Sequence, residues 1–96
     1  MAAAKTSIQL VVQGVNLSAG QNHNWKWNNA LKGAVTSFQV HPLNSQNNSH
    51  LLYRAQVRNV RSLLRNGKEL EIYFQVHNWG TVWTNYHLYM AVTRYA

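Results

Sequence analysis

A chain of 96 residues allows one domain with a modest core, and the absence of cysteine excludes disulfides, thiolate metal sites and a cysteine nucleophile. Nine Lys and Arg residues against two acids give a formal net charge of +7, which attracts polyanions, although charged residues make up only 11% of the chain. No apolar run has the character of a signal peptide or a membrane span, so we expect a soluble chain, and the sequence assigns no compartment.

The first segment with a period of two runs from Thr6 to Gly14. Its apolar residues Ile8, Leu10 and Val12 recur at every second position, which is typical of a strand with one buried face. We therefore predict a strand in which these three side chains share the core side.

Two tryptophans follow a segment of turn composition at residues 18–22. Trp25 and Trp27 are two positions apart, so on a strand their side chains would share one face. A further alternating segment begins at Ala34 and ends at Pro42, because proline lacks the N–H that a strand interior needs. The Asn- and Ser-rich residues 43–49 are predicted to form a loop.

The segment 51–65 fits two interpretations. As a helix it would carry a stripe of arginines and end at Gly67 as a C-terminal cap, which would make the fold α+β. As a strand it would pair, through a two-residue Asn66-Gly67 hairpin turn, with the strictly alternating residues 68–77. Because an Asn-Gly turn directly before such a strand needs a strand partner upstream, we predict that 51–65 is extended.

The last predicted strand extends from Thr84 to about Tyr95. Together the segments predict an all-β fold, a small antiparallel β-sandwich or barrel of five to seven strands, as a single domain over residues 1–96. In a weak repeat, Phe38-Gln39-Val40-His41 recurs as Phe74-Gln75-Val76-His77. This repeat suggests two related strand–loop–strand units at 38–57 and 74–93.

Tryptophan motifs are the strongest functional signal. His-Asn-Trp occurs twice, each time followed closely by a second Trp and further Asn residues. Trp and Tyr offer flat apolar faces and Asn offers two donors and an acceptor, a mixture that suits the C–H faces and hydroxyls of sugars. The predicted ligand-binding residues are His23, Asn24, Trp25, Trp27, Asn28, His77, Asn78, Trp79, Trp83, Asn85, Tyr86 and His87.

Four arginines form the densest basic group and define an alternative site for nucleic acid or another polyanion. They are Arg54, Arg58, Arg61 and Arg65. On a regular strand, Arg54 and Arg58 would share one face while Arg61 and Arg65 would share the other.

Other chemistry finds little support in the sequence. The five histidines lack close metal-ligand spacing, so we predict no metal site. Glu69 and Glu71 are the only side-chain carboxylates, and same-strand neighbours rarely flank a glycosidic bond from both sides. Neither a catalytic triad nor a phosphate-binding loop can be assembled, so we predict a protein that is not an enzyme and needs no cofactor.

These observations favour a lectin-like module that binds glycans. A single shallow sugar site is weak, so we also expect a homo-oligomer that gains affinity by avidity. The alternatives are the nucleic-acid or polyanion binder and a self-assembling structural subunit whose exposed strands and aromatics serve assembly.

Overall fold

A computed structural model describes residues 4–30 and 33–95 of the chain. The described residues contain six antiparallel strands and no helix, which confirms the all-β prediction. Strands β1, β6 and β3 form one sheet in that order, the β6 sheet, and strands β2, β5 and β4 form the other, the β5 sheet. The strands are β1 Ala4–Leu17, β2 Asn22–Ala30, β3 Ala34–Pro42, β4 Ala55–Arg65, β5 Glu69–Asn78 and β6 Thr84–Tyr95.

The segment 51–65 is extended from Ala55 onward, so the helical alternative is wrong. Asn66 and Gly67 both have positive φ, 53° and 64°, and the Lys68 N–H donates to the Arg65 carbonyl at 3.0 Å. Asn and Gly tolerate this left-handed backbone better than other residues, which explains why the chain reverses here. Arg65 lies opposite Glu69, so the connection has three residues instead of the predicted two.

The core lies between the two sheets, which pack in a sandwich-like arrangement, and the two central strands supply most of it. Every second residue of β5 and β6 points inward, as the alternation predicted. Phe38 of β3 stacks on Phe74 of β5 with ring centroids 4.2 Å apart, so aromatic contact joins the two sheets. The buried apolar residues are Leu17, Ala30, Val40, Ile72, Phe74, Val76, Tyr86, Leu88 and Met90.

The inward face predicted for β1 is wrong over its first half. The register shifts by one residue between Leu10 and Val12, which is a β-bulge. A shift of one residue exchanges the two faces of a strand. Val12 therefore packs against the core, while Ile8 is 69% exposed and Leu10 lies on the outer face beside Tyr89.

The connections 18–21, 43–54 and 79–83 meet at one end of the sandwich, where Gly20 N–H donates to the Asn78 carbonyl at 2.9 Å. The two Phe-Gln-Val-His segments lie on β3, an edge strand, and on β5, a central strand, and common descent of the two units stays a prediction. Across the residues that the structure describes, no helix of sufficient length and apolar character to cross a membrane occurs.

Candidate functional site

The twelve predicted ligand-binding residues do not form one site. Trp25 and Trp27 lie on the inner face of β2, whereas Asn24 and Asn28 point outward, because alternate strand residues occupy opposite faces. The residues that face the interior of the sandwich are His23, Trp25, Trp27 and Tyr86. The outer face of the β5 sheet carries Asn24, Asn28 and His77, and the outer face of the β6 sheet carries His87. The end of the sandwich where the connections meet holds Asn78, Trp79, Trp83 and Asn85.

The first tryptophan motif is largely structural. The Trp25 indole N–H donates to the hydroxyl of Tyr86 at 3.0 Å, and His23 Nδ1 shares a hydrogen bond with the same oxygen at 2.7 Å. Tyr86 is fully buried, and burial raises the pKa of its phenol. Trp27 packs edge-on against Phe38, at 6.3 Å between ring centroids. Both indoles therefore help to close the core.

A shallow groove of about 430 Å³ runs beside this cluster, between β1 and β2. His23 and Trp25 present their accessible edges to it, and Gly14 forms part of its floor above the Tyr86 ring. Its outer rim carries the side chains of Gln13, Val15, Asn22 and Asn24.

The second tryptophan motif is different, because the loop 79–83 presents its indoles to solvent. Trp79 is 54% exposed and Trp83 is 39% exposed, in agreement with the expected exposure of at least one of them. Both belong to a loop between the two central strands, which supply most of the buried apolar residues. Contact of either ring with a ligand stays a prediction.

Asn78 fixes the backbone of this loop and is fully buried. Its amide donates to the carbonyls of Leu17 at 3.0 Å and Val82 at 2.8 Å, and its Oδ1 accepts from the Gly80 N–H at 2.9 Å. The amide is thereby occupied on both sides, which makes Asn78 an anchor of the loop. Asn85 has a comparable task, since its Oδ1 accepts from the Asn16 N–H at 2.8 Å.

The neighbouring loop 43–54 supports the tryptophans from the side. The Arg54 guanidinium lies over the Trp79 ring, with Cζ 4.9 Å from the ring centroid, a cation–π arrangement. Gly80 eases this approach, since an added Cβ there would lie 3.3 Å from Arg54 Cβ, a contact tighter than most. Gln46 donates its amide to the Trp83 carbonyl at 3.1 Å. No short-range sequence signal pairs Arg54 or Gln46 with the tryptophans, because they meet only through tertiary structure.

The arginines are arranged differently from the expectation for a regular strand. Arg54 precedes β4, and a one-residue bulge between Arg58 and Arg61, with Asn59 at φ 54°, shifts the pairing with β5. Arg58, Arg61 and Arg65 consequently lie opposite outward-facing residues of β5 and share the outer face of the β5 sheet. The predicted division of Arg58 and Arg61 between two faces is wrong for this reason.

Amides surround the arginines on this outer face and form a continuous network. Arg58 donates to Asn22 Oδ1 at 2.9 Å and to Gln75 Oε1 at 3.3 Å. Gln75 also accepts from the Asn59 amide at 2.8 Å and donates to Asn24 at 2.9 Å. His77 hydrogen-bonds Asn22 as well. The amides thus hold Arg58 in place across all three strands.

Glu71 gathers three partners at the other end of the same face. Its carboxylate accepts from Arg65 Nε at 3.0 Å, from the Tyr73 hydroxyl at 2.7 Å, and pairs with Lys26 Nζ at 3.3 Å. Hydrogen bonds from Arg65 and Tyr73 hold the pKa of Glu71 at about 2, well below its ordinary 4.5. An acid that stays ionised in this way is suited to joining three strands by charge, and poorly suited to donating a proton to a glycosidic oxygen.

We expect acid to weaken the fold through Glu71. A carboxylate whose pKa is lowered on folding contributes stability above its unfolded value, and this contribution is lost as the pH falls from about 4.5 to about 2. Urea midpoints of the wild type should therefore fall over this range. Glu71→Gln should lower the midpoint at neutral pH and flatten the acid dependence.

Glu69→Gln is the matched control, since it removes the same charge from the same strand. We expect it to keep the steep acid dependence of the wild type. An equal response of the two variants would contradict the role given to Glu71.

The described residues contain no group of three His or Glu side chains that could hold a metal ion. Comparison of the chain with protein-family models, with curated proteins and with solved structures gives no match.

Proposed function

We propose that the protein binds glycans through the exposed loop site formed by Trp79 and Trp83 with Arg54 beside them. The observation that carries this proposal is the exposure of two indoles on a loop that buried hydrogen bonds hold in place. Binding costs less when the contacting groups are already ordered. A loop tied down by Asn78 supplies that order without burying the rings.

The chemistry around the rings supports a hydroxyl-rich ligand. An indole face stacks on the C–H face of a sugar ring, and the indole N–H remains available as a donor. Arg54 adds charged donors next to Trp79, and Thr81 is exposed within the same loop. The two rings lie exposed on a loop, which suits a terminal sugar or an exposed polysaccharide chain better than a small molecule that needs enclosure.

A shallow site of this kind acts by binding alone, so we propose a lectin-like module with no catalytic step. Single weak sites gain by avidity, and the proposal therefore includes assembly into a homo-oligomer.

Removal of either exposed ring should weaken glycan binding with little effect on the fold. A glycan array first identifies a bound sugar, and calorimetric titration then compares wild type with Trp79→Ala and Trp83→Ala. We expect at least one variant to lose about 1–3 kcal/mol of affinity, comparable to the stacking of an aromatic on a base. Thermal unfolding should change little, because neither ring belongs to the core cluster or to the residues packed against it.

Leu52→Ala is the matched control. Leu52 is an exposed apolar residue of the adjacent loop 43–54, and its removal deletes apolar surface without deleting an aromatic ring. Full affinity of Trp79→Ala and Trp83→Ala, with the array positive, would refute the loop site.

A second candidate function, binding of nucleic acid or another polyanion, is favoured by one observation. The β4 bulge places Arg58, Arg61 and Arg65 on one face together with Lys26 of β2. This face presents more positive charge than a regular strand would have allowed, although Glu71 neutralises part of it. Phosphate binding would weaken steeply with salt, whereas binding of a neutral glycan would respond little.

Arg58→Gln with Arg61→Gln distinguishes the two candidates. The double variant removes two charges from the outer face of the β5 sheet and leaves the loop site intact. We expect glycan affinity to stay near that of the wild type, because the arginines only steer association. Loss of binding to a charged oligonucleotide, with no glycan hit for the wild type, would favour the second candidate instead.

A further inference from the structure

The outer face of the β6 sheet is apolar at its centre, and none of the described residues on it is Lys, Arg, Asp or Glu. The bulge in β1 turns Ile8 and Leu10 outward, where they lie beside Ala91 and Tyr89 of β6. The register of the three strands arranges the face in four rows, which we call the uncharged face. The rows are Thr6, Thr93 and Val35; Ile8, Ala91 and Ser37; Leu10, Tyr89 and Gln39; and Gln13, His87 and His41.

The inner side of the same strand shows the opposite polarity. Ser7 and Gln9 point between the sheets, where they line a cavity of about 210 Å³ together with Thr36 and Arg94. A strand that turns its polar residues inward and its apolar residues to solvent forgoes hydrophobic stabilisation as a monomer. Burial of the outer face would recover that stabilisation. The outward orientation of the apolar side chains of β1 therefore indicates that another molecule packs on this face.

The distribution of charge indicates which molecule packs on the uncharged face. The chain carries a net charge of +7, so two copies repel one another wherever their cations meet. The uncharged face has no Lys, Arg, Asp or Glu among its twelve residues, whereas the outer face of the β5 sheet carries Lys26, Arg58 and Arg61. A highly charged partner protein would gain no ion pair on the uncharged face, and a second copy would meet the least repulsion there.

The surface of the molecule is also larger than that of a monomer of its mass. The accessible surface is 6394 Å², compared with about 5,600 Å² expected for a folded monomer of this size. The radius of gyration is 15.4 Å, compared with about 12.5 Å for a compact domain of this length. Both differences follow from the elongated shape of the molecule, 47 × 29 × 17 Å, whose broad faces leave surface that a second copy can cover.

We propose that the uncharged face is the interface of a homodimer, formed by face-to-face stacking of two β6 sheets. Four rows of three residues measure roughly 27 Å by 14 Å, so two copies would cover roughly 760 Å² between them, the size of a weak and reversible interface. Ile8, which is 69% exposed, lines a hollow of about 60 Å³ together with Ser37 and Ala91, and a two-fold axis through this region would place Ile8 of each copy near the hollow of the other.

This arrangement leaves both loop sites open to solvent. Trp79 and Trp83 belong to the loop end of the sandwich, outside the four rows. Two loop sites held in one rigid particle would give a bivalent binder. The dimer itself does not depend on the identity of the ligand, so its test is independent of glycan binding.

Val35 and Val60 provide a matched pair of variants. Val35 lies on the uncharged face and is 57% exposed, whereas Val60 lies in β4 and is 56% exposed. Sedimentation equilibrium over a concentration series should give twice the 11.0 kDa chain mass for wild type and for Val60→Lys. Val35→Lys should weaken the dimer roughly tenfold or more, because two ammonium groups would be buried without partners. Far-ultraviolet spectra and melts confirm that each variant is folded.

A second measurement depends on no disruptive change. The chain has no cysteine, so Ser37→Cys and Ser62→Cys place a single thiol on the uncharged face and on β4, both at exposed positions. Maleimide should label the thiol at 37 more slowly as protein concentration rises, and the thiol at 62 at a constant rate. A wild type that sediments at 11.0 kDa at every concentration would overturn the proposal. So would a dimer in which only Val60→Lys causes dissociation or only the thiol at 62 is protected.

Discussion

Gly14→Ala should be among the most damaging single-methyl substitutions in the chain. An added Cβ would lie 2.0 Å from Cζ of Tyr86, and contacts below 3.0 Å require one side to move. Tyr86 cannot move freely, because it is fully buried and its hydroxyl is hydrogen-bonded to Trp25 and His23. We expect a loss of about 3 kcal/mol in the free energy of unfolding, at the upper end for overpacking, measured by urea denaturation.

Gly20→Ala separates this steric effect from backbone strain. Gly20 has φ +76° and open space around it, so alanine there is strained without a clash, and we expect a loss of about 1 kcal/mol. A double-mutant cycle adds Tyr86→Leu, which removes the ring that Gly14 accommodates. The Gly14→Ala loss should then shrink by more than half, since residues in contact are not additive. Equal losses at Gly14 and Gly20, or additivity in the cycle, would contradict the clash.

Asn78→Ala should have a comparable effect through hydrogen bonds. The substitution leaves the carbonyls of Leu17 and Val82 and the N–H of Gly80 without their side-chain partner at a fully buried position. Unsatisfied buried groups are expensive, so we expect a loss on the order of 3 kcal/mol in the free energy of unfolding. For a domain of this size, that corresponds to a decrease in Tm of more than 10 °C.

Asn78→Asp is a more specific test of the two hydrogen bonds that the Asn78 amide donates. One carboxylate oxygen would replace the amide nitrogen that now lies 3.0 Å from the Leu17 carbonyl and 2.8 Å from the Val82 carbonyl. Acceptor would face acceptor, so the variant should be less stable than Asn78→Ala at neutral pH and should partly recover in acid, where the protonated acid donates again. Asn24→Ala, at an exposed position with one hydrogen bond, serves as the control and should change stability by about 0.5 kcal/mol or less. A loss at Asn24 equal to that at Asn78 would refute the anchor role.

The strands of the fold were predictable from the sequence to different degrees. The hairpin of β4 and β5 and the last strand followed from alternation and from the Asn66-Gly67 turn, because local backbone preference and burial agree there. In β1 the same alternation led to the wrong face for Ile8 and Leu10. The bulge that exchanges the faces has no strong local signature, since valine at position 11 is an ordinary strand residue.

The candidate site shows the same limit. Composition alone marked the Trp-Asn motifs as candidate binding residues. It did not predict that Trp25 and Trp27 pack against the core while Trp79 and Trp83 are exposed. Trp25 is drawn inward by the buried hydroxyl of Tyr86, a residue 61 positions away. Contacts of such long range are decided by sheet order, which no short motif encodes.

The amino-acid pattern was enough to predict the strand class, the position of the β4–β5 turn and the inward faces of β5 and β6, because a two-residue period and Asn-Gly chemistry act locally. It also determined the excess of positive charge. The folded structure was needed to see which tryptophans reach solvent, that Arg58 and Arg61 share a face, and that the four rows of the uncharged face contain no Lys, Arg or Glu. Each of these depends on a bulge or on the pairing of distant strands, and a shift of one residue in register moves every following side chain to the opposite face.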